Sequence, residues 1–336
     1  MIKFGVSDKS LKHLILSLKI LVTLVILWFL AKHSQLNVGL FFTLLDNPFS
    51  TLSVIVLYYL MILINTWRWY RLNTIQKIDL PFFQTIKPTY LGVAFNAVLP
   101  GNVGGDFIRT YFVLKKFPQQ KSAAILSILT DRVMGLMGML CIICIISPVF
   151  WQIAHQNYFI LSILLTCIGC FSAGVIIFLF GTMWFNHKIS FIGKINEKLS
   201  GKLSSLFEAI NIYRNAKSIM LETLGLSMLI QIGLLIGVLM ISSSMDLPSI
   251  SPFHFMLALI VAQIANLLPL TPGGIGIGEA AFANIIVLLN PGTTAAYATV
   301  FLAIRVLSIL TYLPGVGLGI FGFHLLDRRY VTNNQD

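Results

Sequence analysis

Few charges are expected at membrane depth in this chain: Asp106, Arg109, Asp131, Arg132, Glu279 and Arg305. Holding a charge at the centre of a bilayer costs at least ~3 kcal/mol, so each is a functional candidate. A planar guanidinium grips a phosphate through two parallel N–H bonds, and a carboxylate can orient it or carry a proton. The set therefore fits recognition of a lipid head group by Arg109, Arg132 and Arg305. Asp106 and Glu279 are the expected orienting or proton-carrying partners, and Asp131 a structural or orienting one. The competing reading is that three arginines and three carboxylates only neutralise one another and hold the bundle together. The two are compatible, since a binding site must also be held together.

Two helix-breaking segments precede two of these acids. Pro100, Gly101, Asn102, Gly104 and Gly105 lead to Asp106; Pro272, Gly273, Gly274, Gly276 and Gly278 lead to Glu279. Inside a bilayer the backbone groups freed by such breaks need partners, so both segments must face protein or water. Glycine lets the backbone approach a ligand and leaves amide N–H groups open. A helix beginning near Gly105 and Asp106 favours an anion at its N-terminus. Arg109 follows Asp106 by three residues, on the same helical face, so Asp106 is expected to cap the helix and orient Arg109. Glu279 has three candidate roles: cap, arginine partner or proton carrier. Asn266 adds a polar group before the second break. Arg132 and Arg305 are each available to pair with Asp106 or Glu279, or to meet a phosphate.

The elements that carry these residues are hydrophobic helices. Charged residues make up 10% of the chain and apolar ones 57%, with a mean hydropathy of +0.87, whereas a soluble domain carries about 25% charge. So much apolar surface must face lipid. The formal net charge of +11 follows from basic residues between the hydrophobic segments, as membrane topology places them, and does not indicate nucleic acid. Cys141, Cys144, Cys167 and Cys170 sit in apolar runs without His or Asp beside them, so they read as inert packing residues. The N-terminal apolar run has no small-residue cleavage motif near its end and reads as an uncleaved first span.

Six stretches are long enough to cross: about 11–31, 51–67, 122–148, 158–184, 219–242 and 295–322. The segments 68–87, 109–121 and 185–218 are rich in Lys and Arg, which places them on the cytoplasmic side. The stretch between the first two must then enter the membrane and return. This predicts a re-entrant hairpin at about 86–114. A second, at about 251–291, would enter from the opposite face, and the segment 185–218 would be an amphipathic surface helix. Both termini come out cytoplasmic. Hairpins entering from opposite faces are the pattern of an inverted repeat with broken helices meeting near the midplane.

The series from Pro100 to Arg109, with Gly104-Gly105-Asp106 at its centre, then Asp131-Arg132, then Pro272 to Glu279, then Arg305, resembles the lysylphosphatidylglycerol synthase transmembrane-region family. This is also known as the flippase domain of the multiple peptide resistance factor. The resemblance covers nearly the whole chain. It implies a multipass inner- or plasma-membrane protein. The best-known members move aminoacylated phosphatidylglycerol between leaflets; others are linked to hopanoid or polyprenyl-linked sugar pathways. The positions carried over are Asp106, Arg109, Arg132, Glu279 and Arg305. Many relatives have Glu-Arg where this chain has Asp131-Arg132, which keeps the charge. In full-length lipid-modifying members a large soluble synthase domain follows; this sequence runs only about ten residues past its last apolar stretch, so aminoacyl transfer is not expected.

The expectation is therefore an all-α, polytopic integral membrane bundle forming one transmembrane domain with two re-entrant hairpins. It would transport or flip an anionic or zwitterionic lipid, or a lipid-linked intermediate, across the cytoplasmic membrane. The binding set is Arg109, Arg132, Arg305, Asp106, Glu279, Asn102, Gly104, Gly105, Gly273 and Gly274. Asp131, Pro100, Pro272 and Asn266 support it. No cofactor or metal is expected, and the partners are membrane lipids and envelope-synthesis enzymes. The alternatives are an intramembrane lipid-modifying or glycosyltransferase-like enzyme, and a non-transporting member of an envelope-synthesis complex.

Overall fold

The computed structural model describes residues 8–32, 36–37, 39–98, 104–193, 211–268, 270–271, 274–312 and 314. Among them every regular element is helical. The long helices are α1 (Asp8–Lys32), α3 (Pro48–Ile75), α6 (Lys121–Ile146), α8 (Tyr158–Gly193) and α9 (Lys217–Ser244). The shorter ones are α2 (Leu40–Asp46), α4 (Phe82–Val98), α5 (Gly104–Lys116), α7 (Trp151–Gln156), α10 (Pro252–Ala265), α11 (Ile277–Leu289) and α12 (Tyr297–Tyr312).

Among the described residues, four helical segments are long and apolar enough to cross a bilayer: Pro48–Ile75, Lys121–Gln156, Tyr158–Phe180 and Lys217–Ser244. Tyr158–Phe180 makes the environment plain. Its most apolar window is only 11% buried, with Leu165, Ile176, Ile177 and Phe180 all more than half exposed. A water-soluble surface does not carry so long an apolar stripe. The protein is a multi-pass, all-helical membrane protein. The C-terminal part of the last expected span falls beyond the described residues, as does the middle of the segment 185–218, of which 194–210 are not described.

Helix α3 corrects the sequence reading. The apolar stretch stops at Trp67, so hydropathy alone places Arg68 and Arg71 in an aqueous segment. The helix runs on to Ile75, and Arg68 is buried. Hydropathy falls at the first arginine, but arginine is a good helix former and the helix continues; the Asp131 carboxylate is what lets that charge be buried.

Both broken segments form helical hairpins. In the first, Lys116 Nζ donates to Gln84 Oε1 at 2.9 Å, and Lys87 lies 6.0 Å from the Phe112 ring. Nearer the bend, Gly105 N donates to Asn96 Oδ1 at 2.7 Å. Partners that approach one another in sequence toward a bend are the signature of antiparallel helices. In the second hairpin, His254 Nδ1 and Asn290 Oδ1 are 3.0 Å apart, Phe255 stacks on Phe282, and Asn266 lies against Gly274 and Gly278. With 14 and 13 residues, its helices span only ~20 Å each, against about 30 Å of hydrocarbon.

The helices gather into two compact units. One comprises 1–58, 91–105 and 235–336; the other comprises 59–90 and 106–234. The first is held by Phe255, Phe282, Tyr297 and Phe301 in mutual ring contact, and by Leu30, Ala283 and Ala298. The second has a core of Trp69, Ile78, Leu80, Val113, Ala124 and Ile128, with a second cluster around Leu72, Leu126, Met134 and Tyr213.

Candidate functional site

In the second unit, three helices deliver charge to one place. Asp131 on α6 receives Arg68 Nε of α3 on Oδ1 at 2.8 Å, and Arg109 Nη1 of α5 on Oδ2 at 2.9 Å. All three side chains are less than a tenth exposed. Arg68 is held further: its Nη1 donates to Ser227 Oγ at 2.9 Å and its Nη2 to Asn65 Oδ1 at 3.1 Å. Arg109 instead lies over the Trp69 ring, 5.1 Å from its centroid, which adds a cation–π attraction. Two guanidinium groups thus share one carboxylate.

Glycines make room for this arrangement. A Cβ on Gly135, one turn beyond Asp131, would meet Arg68 Nη1 at 3.5 Å, so the guanidinium already lies close over that bare backbone. A Cβ on Gly138 would fall 2.5 Å from Ser227 Cβ. Close approach of α6 and α9 is what brings the Ser227 hydroxyl within reach of Arg68.

Next to this cluster in sequence, Arg132 Nε donates to Asp106 Oδ2. The sequence pattern predicts that Asp106 orients Arg109, three residues on. It pairs with Arg132 instead, because Arg109 is drawn to Asp131 and Trp69. Closer to the solvated end of α9, Glu222 receives Arg71 Nε and Trp67 Nε1. That pair is about one-third exposed.

In the first unit, Arg305 and Glu279 form an ion pair. Arg305 Nε donates to Glu279 Oε1 at 2.7 Å, and Glu279 is fully buried. The other carboxylate oxygen accepts the Gly276 amide at 2.7 Å, so Glu279 caps α11 from within. Arg305 Nη2 reaches the Gly274 carbonyl at 3.3 Å. Gly274 and Gly276 have φ of +73° and +87°, a left-handed backbone that glycine adopts without strain. At Gly278 a Cβ would strike the Asn266 amide at 2.5 Å and Phe301 at 2.8 Å. Asn266 Oδ1 and Thr271 Oγ1 are buried there without a hydrogen-bond partner.

A protein-family model described as the lysylphosphatidylglycerol synthase TM region matches residues 16–315. The chain belongs to this family. No curated protein and no solved structure matches it. Membership associates the protein with a membrane-lipid role. The five positions that the family resemblance singles out are all engaged in ion pairs: Asp106, Arg109 and Arg132 in the second unit, Glu279 and Arg305 in the first. Gly104 and Gly105 begin α5 and are buried. A Cβ on Gly105 would lie 2.1 Å from the Gly92 carbonyl oxygen, so α4 and α5 approach backbone to backbone there. Pro100, Asn102, Pro272 and Gly273 lie outside the described residues.

Sequence reasoning missed Arg68. The signal was present in Trp67-Arg68-Trp69-Tyr70-Arg71, a run whose aromatic residues carry the helix past the end of the apolar stretch. Asp131 was also underrated, since it is the hub of the second unit's cluster and not an accessory to it.

Proposed function

We propose that the protein moves a lipid with an anionic or zwitterionic head group between the leaflets of the cytoplasmic membrane. One observation carries this reading: Arg68 and Arg109, both buried, share the single carboxylate of Asp131. A purely structural cluster would be expected to balance its charge, because an uncompensated buried charge is costly. Surplus guanidinium capacity is what phosphate recognition requires. Family membership supports a lipid as the carrier of that phosphate. In this reading the hairpins Phe82–Lys116 and Pro252–Leu289 enter the membrane from opposite faces without crossing it. Their helices are too short to cross and return, and the Lys-rich ends of the first put it on the cytoplasmic side.

The test is reconstitution. Proteoliposomes carrying the protein should accelerate leaflet exchange of a fluorescent phosphatidylglycerol over protein-free vesicles. Absence of exchange for phosphatidylglycerol, phosphatidylethanolamine and a polyprenyl phosphate alike would refute the reading. The topology has a separate check. Single cysteines at Lys87 and Lys115 should react with an impermeant maleimide from the same side of the membrane, and labelling from opposite sides would rule out the re-entrant hairpin.

A further inference from the structure

We infer that the Arg68–Asp131–Arg109 cluster selects ligands by charge, and that its ligand is a lipid whose head group bears one net negative charge on a phosphodiester. This inference rests on the lipid-transport reading and narrows it. Two positive charges face one negative charge in the cluster, and all three side chains are less than a tenth exposed. Among the described residues the neighbouring charges are paired with one another. Arg132 is matched by Asp106, and Arg71 by Glu222. One positive charge is left over in the low-dielectric interior, where a single counter-charge of opposite sign is the favourable complement. A dianionic phosphomonoester would leave a net negative site. A cationic aminoacylated phosphatidylglycerol would add positive charge to a site already in excess.

The two arginines also differ in what they have left to offer. Arg68 is engaged through all three of its nitrogens, by Asp131, Ser227 and Asn65. Its charge is fixed in place and its donors point into the protein. Arg109 makes one hydrogen bond, through Nη1, and presents one face to Trp69. Among the described residues its Nε and Nη2 make no further hydrogen bond. Arg109 is therefore the group that grips the phosphodiester, and Arg68 supplies the surplus charge that makes the grip favourable.

The experiment uses the full chain in phosphatidylcholine nanodiscs and measures lipid retention by native mass spectrometry. The probes are phosphatidylglycerol, phosphatidate at pH 8.5, lysyl-phosphatidylglycerol and the soluble diester glycerophosphoglycerol. Phosphatidylglycerol should be preferred over each of the others by about ten-fold or more, the ratio that 1.4 kcal/mol of differential binding produces. Asp131→Asn adds one positive charge and should shift the preference toward phosphatidate. Arg109→Gln removes the surplus and should abolish discrimination by charge. Arg109→Lys keeps the charge and loses the fork, so it should bind more weakly with the same order of preference. These last two variants test the inference even where Asp131→Asn does not fold. Equal retention of all lipids, in a protein that still exchanges lipid between leaflets, would overturn the charge selection and leave the transport reading standing. Loss of leaflet exchange for every lipid would instead remove the reading beneath it. Binding of the soluble diester as tight as that of the lipid would overturn the lipid as the ligand.

Discussion

The two units handle their arginines in opposite ways. In the first, Arg305 meets Glu279, and the carboxylate spends its remaining capacity on the Gly276 amide at the start of α11. Charge is balanced, the helix end is capped, and a glycine turn locks the pair in place. In the second, Asp131 is divided between Arg68 and Arg109, and positive charge is left over. A balanced, capped pair stabilises a fold. In the reading proposed above, the unbalanced cluster is the one that meets a ligand.

That comparison can be broken most forcefully at Asp131. Asp131→Ala would leave two arginines buried without a counter-charge, and breaking a buried pair typically costs about 3–5 kcal/mol. Thermal unfolding in detergent should show this variant losing more stability than Glu279→Gln, Gly278→Ala or Gly135→Ala. Equal stability to the parent would mean the cluster is solvated and the charge argument fails.

Glu279→Gln should come next, costing about 3 kcal/mol by the same argument. Here the double variant Glu279→Gln with Arg305→Gln is informative. Removing both members of a balanced pair should recover at least half of the loss in midpoint temperature. No recovery would show that Arg305 has a role besides neutralising Glu279.

Gly278→Ala sharpens the account of the glycine turn. The added methyl would push on Asn266 and Phe301, and overpacking of this kind costs about 1–3 kcal/mol. Gly135→Ala is the smallest effect expected, because its nearest neighbour is at ordinary van der Waals distance. Its unfolding midpoint should match the parent's to within the shift that about 0.5 kcal/mol produces. A large loss there would mean that Arg68 presses on α6 at less than van der Waals distance.

Much of this was legible from residue types and spacing. The Gly-rich breaks before Asp106 and Glu279 marked both hairpin bends, and two carboxylates at the starts of helices marked themselves as partners for arginine. What the spacing left open was which arginine each acid takes. Arg109 stands three residues from Asp106, a neighbour on one helical face, yet it pairs with Asp131 across a gap of 22 residues. Helical spacing reports proximity along one helix and is silent about the Trp69 ring that another helix brings alongside. Arg68 was hidden for a different reason. Hydropathy averaging treats an arginine as the end of a span, and cannot register a carboxylate 63 residues further on. The roles of Gly135 and Gly138 depend on what packs over them, which no local pattern encodes.

In the reading proposed here, Arg109 serves the ligand while Arg305 serves the fold. It is tested most directly by comparing Arg109→Lys and Arg305→Lys in one set of proteoliposomes, with leaflet exchange normalised to folded protein. The account predicts that Arg109→Lys loses exchange by about ten-fold or more with little change in unfolding midpoint, since lysine keeps the charge but not the bidentate fork. Arg305→Lys should lower the midpoint and leave the normalised exchange rate close to the parent's. Full exchange by Arg109→Lys, together with loss of exchange by a stably folded Arg305→Lys, would contradict it.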